Sequence, residues 1–147
     1  MVTSQPCPSP ITFPFEIADG EYYFSVWQYD EAGNEGYTTN YVEVDTVAPG
    51  ITSVSPTGKR VSPYADVKVT FDDEVYGSAK YVNINPKGST KPLAVYRYYG
   101  DGDKDIEIDP KNALKRGTSY TVKVTTDVND GANNLETAKS WSFKTKG

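Results

Sequence analysis

The carboxylate-rich stretch over residues 101–105, which runs Asp-Gly-Asp-Lys-Asp, has the spacing most typical of a cation-binding loop in this sequence. Calcium takes about six to eight oxygen ligands from carboxylates, carbonyls and water, so Asp101 and Asp103 are candidate ligands. The stretch departs from a helix–loop–helix calcium loop, because Ile106 stands where that loop needs glycine and Asn112 where it needs a bidentate glutamate. The spacing therefore matches only the first half of such a loop.

The residue types that are missing from the sequence exclude several other kinds of catalytic and metal site. The sequence has no histidine, which removes imidazole-based catalysis and the zinc sites built on imidazole. Its single cysteine, Cys7, has no partner for an internal disulfide or for a metal cluster. Paired carboxylates serve glycoside hydrolysis, but here the acids fall on short loops without an apolar pocket to raise a pKa. We therefore expect no enzymatic activity.

Aromatic residues are the other group with a recognisable chemistry. Tyr23, Trp27 and Tyr29 share one face of the strand predicted over residues 21–29. Tyr96 and Tyr98 share a face of a later strand. A row of rings can stack on sugars, as in a carbohydrate-binding module. The alternative is that the rings pack against strands or a neighbouring domain, since tyrosine and tryptophan tolerate a half-wet contact surface.

Charge divides the 147 residues into two parts. Residues 1–47 contain eight acids and neither lysine nor arginine, whereas residues 48–147 contain twelve acids and all fifteen bases. The net charge of −5 argues against a nucleic-acid binder, which needs a basic surface to neutralise phosphates. We place a boundary near Val47–Pro49, with a flexible tail over residues 1–10, a partial unit over 11–47 and a complete domain over 48–147.

The periodic segments are rich in Val, Ile, Thr, Tyr and Phe at period two, which predicts an all-β protein with short strands. The first unit has predicted strands over residues 11–17, 21–29 and 37–44. The second has them over 51–55, 67–71, 81–85, 93–99, 106–108, 120–124 and 141–143. About seven short strands in about 100 residues are typical of an immunoglobulin-like β-sandwich.

That topology gathers the loops of the second domain at two poles. Loops over residues 72–79, 99–104 and 127–137 are predicted to share the pole facing the linker, and their acids are Asp72, Asp73, Glu74, Asp101, Asp103, Asp127, Asp130 and Glu136. The loops over 86–91 and 110–117, at the opposite pole, contain no acid, and their bases are Lys87, Lys91, Lys111, Lys115 and Arg116. Such segregation favours head-to-tail stacking, or a cation that bridges acidic loops.

Residues 48–147 resemble the bacterial Ig-like domains of S-layer and other surface proteins. The most specific stretch is Ile106-x-Ile108-x-Pro110-x-x-x-Leu114-x-x-Gly117-x-x-Tyr120-x-Val122-x-Val124. The family's last loop, D-x-A-G-N-x-L, reads here Asp130-Gly131-Ala132-Asn133-Asn134-Leu135, with Asn in place of Gly and one residue fewer. The resemblance implies a sandwich fold and carries little information about activity.

Residues 19–49 resemble the last third of another bacterial Ig-like repeat, of the kind found in tandem in adhesins. The motif is Asp19-Gly20-x-Tyr22-x-x-x-Val26-x-x-x-Asp30-x-Ala32-Gly33-Asn34, followed by Val44-Asp45-Thr46-x-Ala48-Pro49. Related repeats are stiffened by calcium at the linker. The resemblance therefore implies a calcium site in which Asp19 and Asp45 are joined by loop carboxylates of the second domain, of which Asp130 is one.

These patterns together predict a structural or adhesion module of an extracellular surface protein, a fragment of something longer that acts as a spacer or assembly unit. The expected partners are neighbouring Ig-like domains or subunits, stacked head to tail, or cell-surface glycans. We expect no required cofactor, with calcium as the one candidate, and no nucleic acid. No leader is visible, and no apolar run approaches the roughly 20 residues that span a bilayer. The alternative is an accessory carbohydrate-binding module of a secreted polysaccharide-active enzyme.

Overall fold

A computed structural model of the protein describes residues 16–76, 78–98 and 103–147. The chain divides into two compact units, one ending at Asp45 and the other spanning Thr46–Gly147. The boundary predicted from the sequence, between residues 47 and 48, lies two residues later. The predicted tail over residues 1–10 and most of the predicted strand over 11–17 lie outside the described residues, while Glu16 and Ile17 belong to no strand.

The described part of the first unit is an antiparallel hairpin. Strand β1 (Gly20–Tyr29) pairs with β2 (Glu35–Val44), in an unbroken register from Gly20 opposite Val44 to Tyr29 opposite Glu35. Two of the three predicted strands are thus present here, both longer than predicted. Ten consecutive cross-strand pairs without a bulge fix which side chains share a face.

The hairpin turn is built around Asp30. Its Oδ1 accepts hydrogen bonds from the backbone amides of Ala32 (2.9 Å) and Asn34 (2.8 Å), and its Oδ2 accepts one from the Asn34 side chain at 2.7 Å. These bonds, with the Asn34 side chain foremost, lower the pKa of Asp30. Gly33 takes φ 83°, which glycine adopts without a steric cost. The turn chemistry of the D-x-A-G-N motif therefore sets the register of the aromatic strands.

The second unit is an all-β sandwich of the immunoglobulin-like class, as predicted. One four-stranded sheet has the order β4-β10-β9-β6 and the other β3-β5-β8-β7. The strands are β3 (Ile51–Ser55), β4 (Gly58–Val61), β5 (Val67–Val75), β6 (Val82–Pro86), β7 (Val95–Tyr98), β8 (Asp103–Pro110), β9 (Ser119–Val124) and β10 (Lys139–Thr145). A short 3-10 turn, Ser78–Tyr81, leads into β6.

The core lies between these two sheets and consists of the inward-facing residues of alternating strands. Val67, Val69 and Phe71 of β5 are buried, whereas Lys68 between them is exposed. The other fully buried large side chains are Ile84, Ile106, Ile108, Val82, Val122, Val124 and Val128. Each such aliphatic side chain stabilises the fold by about 1.5–3 kcal/mol relative to an exposed position.

Two features of the sandwich differ from the prediction. Strand β4 was not predicted; it pairs in parallel with β10, with Gly58 opposite Phe143. Strand β5 continues to Val75, so Asp72, Asp73 and Glu74 lie in a strand and not in an acidic loop. A register irregularity between Thr70 and Val75 interrupts the pairing with β8 there, and this bulge lets polar side chains occupy the strand.

The sandwich has two poles, defined by which loops the strand directions bring together. The N-terminal pole comprises residues 46–50, 78–81 and 125–138, and the C-terminal pole comprises 62–66, 87–94 and 111–118. Hydrogen bonds link loops within each pole, from the Tyr76 amide to the Asn129 carbonyl and from the Leu114 amide to the Pro63 carbonyl. Loop 62–66 brings Asp66 to the C-terminal pole, so the expectation of a pole without acids is wrong.

Candidate functional site

The hairpin presents one face covered by five aromatic side chains, which we call the aromatic face: Tyr23, Trp27, Tyr29, Tyr37 and Tyr41. Between 49% and 72% of each of these side chains is exposed. Tyr23, Trp27 and Tyr29 were predicted from the sequence. Tyr37 and Tyr41 were missed, because only the register of β1 against β2 shows that they share this face.

The rings form cross-strand pairs. Tyr23 lies opposite Tyr41 with ring centroids 5.4 Å apart and planes tilted by 58°. Trp27 lies opposite Tyr37 with centroids 6.4 Å apart and planes only 26° apart, so the two rings present similarly oriented faces. Since successive residues on one face of a strand are about 7 Å apart, the face extends roughly 20 Å from Tyr23 to Tyr29.

Polar groups separate and flank these rings. Between the two ring pairs, the hydroxyls of Ser25 and Thr39 share a 2.8 Å hydrogen bond. At the turn end, the Tyr29 hydroxyl donates to Glu35 at 3.4 Å. At the other end, loss of hydration and then the charges of Glu21 and Glu43 raise the pKa of Tyr41. The aromatic face thus offers ring surfaces with hydroxyls and carboxylates beside them.

The opposite face of the hairpin is also apolar but differs in character. Tyr22 and Phe24 are half-buried, with centroids 6.3 Å apart, and the Tyr22 hydroxyl donates to the Ala18 carbonyl at 2.7 Å. Val26 and Val42 are about half exposed. This face combines aliphatic and aromatic side chains, as a face that packs against further strands does.

Tyr96 and Tyr98 share the outer face of β7, as predicted, with about half of each side chain exposed. Lys111 Nζ lies 5.0 Å from the centroid of the Tyr96 ring, so a cation already covers that ring. Their cross-strand neighbours are acidic, with Asp109 opposite Tyr96 and Glu107 opposite Tyr98. These two rings form a smaller and more charged surface than the hairpin does.

The predicted metal ligands are distributed over both units. Asp19 and Asp45 flank the Gly20–Val44 pair, so they lie at the same end of the hairpin. Asp103 begins β8, opposite Val75, so its predicted place in a loop over residues 99–104 is wrong, because the strand starts three residues earlier than predicted. Asp101 lies outside the described residues. Within residues 16–76, 78–98 and 103–147, no group of three or more His, Cys, Asp or Glu side chains is placed to hold a metal ion. The calcium assignment stays a prediction.

Asp130, the remaining predicted ligand, organises the loop between β9 and β10. Its Oδ1 accepts hydrogen bonds from the amides of Ala132 (2.8 Å) and Asn133 (2.6 Å), and Gly131 takes φ 103°. Its Oδ2 is buried and, among the described residues, has no hydrogen-bond partner. Asp130 therefore acts as a turn residue through its Oδ1.

The outer face of the β3-β5-β8-β7 sheet carries a charged network. Lys68 Nζ lies 2.8 Å from Asp105 Oδ2, and the Thr70 hydroxyl donates to Asp105 Oδ1 at 2.7 Å. Lys68 and Thr70 together lower the pKa of Asp105. Burial, followed by the charges of Asp109 and Glu107, raises the pKa of Asp66. The pKa values of the two aspartates shift in opposite directions because only Asp105 faces a cation.

Each pole of the sandwich contains a hollow. At the N-terminal pole, a hollow of about 340 Å³ is lined by residues 48–51 and 135–139, which include Pro49, Leu135 and Glu136. At the C-terminal pole, one of about 330 Å³ is lined mostly by apolar side chains, with Lys115 at its margin. Glu136 and Lys139 thus both line the N-terminal hollow, while Lys115 is the charged residue that lines the C-terminal one.

In the described part of the chain, no helix is long and apolar enough to cross a membrane. A search of curated proteins found no match to this sequence. Among solved structures, the N-terminal part of the bacterial S-layer protein SbsC is 22% identical, covering 68% of this chain and 24% of that one, with a TM-score of 0.49. The S-layer protein rSbsC(31-844) and domains 1-6 of the surface layer protein SbsC are 22% and 21% identical, each with a TM-score of 0.50, covering 68% of this chain and 14% of those.

The two neighbours with a TM-score of 0.50 support the fold. The chain spans about a quarter or less of the length of all three structures. The family comparison goes further, because the family described as Bacterial Ig-like domain matches residues 45–145, about the whole of the sandwich. The chain therefore belongs to the bacterial Ig-like domain family.

Proposed function

We propose that this protein is a non-catalytic structural module of a bacterial extracellular surface protein, where it acts as a spacer or assembly unit in an array. The observation that carries this proposal is the match of the bacterial Ig-like domain family to the complete sandwich. The S-layer proteins with a similar fold support a surface location. Bacterial Ig-like domains are a non-catalytic family.

The poles indicate how such units associate. The loops of the N-terminal pole carry three acids against Lys80, and those of the C-terminal pole carry five bases against Asp66, so an acidic pole on one copy complements a basic pole on the next. Contacts between unlike poles are head-to-tail, and they continue into an open chain when the rotation between units does not close. Burial of the mainly apolar C-terminal hollow adds a contribution that salt does not screen.

Surface exposure in the native organism tests the location. An antibody against residues 46–147 is expected to label intact cells, and external protease is expected to remove the epitope, while a cytoplasmic marker stays protected. An epitope that becomes accessible only after lysis would contradict the proposal.

Sedimentation equilibrium of the full chain tests the association. We expect weak self-association at low salt that weakens as salt rises, since the Debye length shortens from about 30 Å at 0.01 M to about 10 Å at 0.1 M. The double variant Lys111→Glu, Lys115→Glu is expected to abolish it, whereas Lys123→Glu, on an exposed position of β9, keeps it. A monomer at every concentration and salt would refute assembly through the poles.

A further inference from the structure

We propose that the aromatic face of the hairpin is a binding site for a neutral polysaccharide chain. This role goes beyond that of a spacer, because it gives the module a ligand of its own. The face presents five rings, all of them at least about half exposed, although aromatic side chains of this size normally supply the buried area of a fold.

The composition of the face favours a hydrated ligand over a protein core. All ten positions of the face are Tyr, Trp, Ser, Thr or Glu, with no aliphatic side chain among them. Protein interfaces of the hydrophobic type place apolar side chains at the centre, whereas here the centre is the Ser25–Thr39 hydroxyl pair. Sugar rings have apolar C–H faces and hydroxyl edges, which match ring surfaces beside hydroxyls and carboxylates.

Charge narrows the ligand class. The described residues of the first unit include eight acids and no base, of which Glu21, Glu43 and Glu35 lie at the two ends of the aromatic face. An anionic polymer is therefore repelled, and so is the hairpin of a second copy. A neutral sugar is not, because carboxylates accept hydrogen bonds from its hydroxyls.

Geometry points to a chain and not to a single sugar. The two ring pairs and Tyr29 follow one another along about 20 Å of ribbon, which exceeds the size of one sugar ring. The similarly oriented rings of Trp27 and Tyr37 lie between the central hydroxyl pair and Tyr29, and the tilted Tyr23–Tyr41 pair lies on the other side of that centre.

Affinity electrophoresis of the full chain tests this proposal with three soluble neutral polysaccharides as probes: a β-glucan, a xylan and a mannan. We expect at least one of them to retard the protein, and polygalacturonate, an anionic polymer, not to do so. Trp27→Ala and Tyr37→Ala are each expected to weaken the retardation about tenfold. Tyr64→Ala is the matched control, since Tyr64 is as exposed as these rings but lies in the sandwich.

A fluorescence titration supplies a second measurement, which does not depend on migration in a gel. The sequence has two tryptophans, and Trp141→Phe leaves Trp27 as the only indole. The probe that retards the protein is expected to shift the Trp27 emission to shorter wavelength, because stacking removes water from the indole. The apparent affinity is expected to be unchanged between 0.01 and 0.1 M salt, as for an uncharged ligand.

Absence of retardation with all three neutral polysaccharides would overturn the proposal, and so would retardation that survives Trp27→Ala. Salt-sensitive self-association that is lost in Trp27→Ala and Tyr37→Ala would also overturn it, because it would assign the face to a basic surface of a second copy. None of these outcomes bears on surface exposure of the module, so the two proposals fail separately.

Discussion

The amide of Gly50 donates a 2.6 Å hydrogen bond to Asp72 Oδ1, and the amide of Asp72 returns a 3.0 Å bond to the Gly50 carbonyl. The approach is so close that a Cβ on Gly50 would lie 2.6 Å from Asp72 Oδ2. This reciprocal pair fixes where the chain enters the sandwich, at the edge strand β3. Lys104 Nζ, bonded to the Asp72 carbonyl at 2.7 Å, ties the same point to β8.

The first prediction concerns this pair. Gly50→Ala is expected to lower the free energy of unfolding by about 1 kcal/mol, because the new methyl group displaces the Asp72 carboxylate and weakens its hydrogen bond. In an Asp72→Ala background the same substitution is expected to cost much less, since the clash is gone. Urea unfolding of the parent protein, the two single variants and the double variant measures the coupling energy between Gly50 and Asp72. If Gly50→Ala lowers the free energy of unfolding equally with and without Asp72, the prediction is contradicted.

The second prediction is a pH dependence of the Lys68–Asp105 pair. The folded-state pKa of Asp105 is lowered, so its contribution to stability is present above the unfolded value of about 4 and is lost as the pH falls through the folded value. Lys68→Met is expected to lower the stability only slightly at pH 7, since both groups are partly exposed, and not at all near pH 2. Lys123→Met serves as control, and a cost independent of pH would exclude the ion pair as its cause.

The third prediction concerns Asp66, whose pKa is shifted in the opposite direction. Its raised pKa means that the ionised carboxylate destabilises the folded state at neutral pH. Asp66→Asn is expected to stabilise the protein at pH 7, by no more than about 0.5 kcal/mol, and this gain is expected to fade as the pH falls to about 4. Asp105→Asn is expected to destabilise it at pH 7. Thermal melts at pH 7 and pH 4 check whether Asp66→Asn stabilises and Asp105→Asn destabilises the protein. A loss of stability in Asp66→Asn at pH 7 would contradict a raised pKa of Asp66.

The fourth prediction is that residues 46–147 fold alone. The hydrophobic core cluster and the partly buried side chains packed against it all lie between Ile51 and Phe143, within the second unit. The isolated fragment is expected to show a cooperative melt and a dispersed amide spectrum, while residues 1–47 alone are expected to be disordered by circular dichroism. A fragment 46–147 that fails to fold would show that the boundary is wrongly placed.

The fifth prediction concerns calcium. If Asp19 and Asp45 contribute to a calcium site, binding to the folded state raises its stability by about 2.7 kcal/mol at a hundredfold excess over Kd. Asp45→Ala is expected to remove most of that shift, and Asp66→Ala is expected to keep it. Melting curves that coincide in millimolar calcium and in chelator would reject the site.

The sandwich could be predicted from the sequence because apolar and polar residues alternate along β5, β8 and β9, and the apolar positions are the buried ones. It missed β4, whose residues Gly58–Val61 are mostly polar and whose partner β10 lies about 85 residues away. Long-range pairing of a short edge strand leaves no local pattern. Similarly, Tyr37 and Tyr41 joined the aromatic face only through the register, which the Asp30–Asn34 turn determines.

The parallel pairing of β4 with β10 has a mechanical consequence for a domain held at both ends. Tension applied at Thr46 and at Gly147 pulls β4 towards the N-terminal pole and β10 towards the C-terminal pole, so the two strands slide along each other. The hydrogen bonds between them, with the bond from the Lys146 amide to the Val61 carbonyl, then bear the load together instead of opening one after another. When the array is stretched, the pairing between β4 and β10 therefore determines the force at which this domain unfolds. Removing one of these cross-strand pairs is expected to lower that unfolding force.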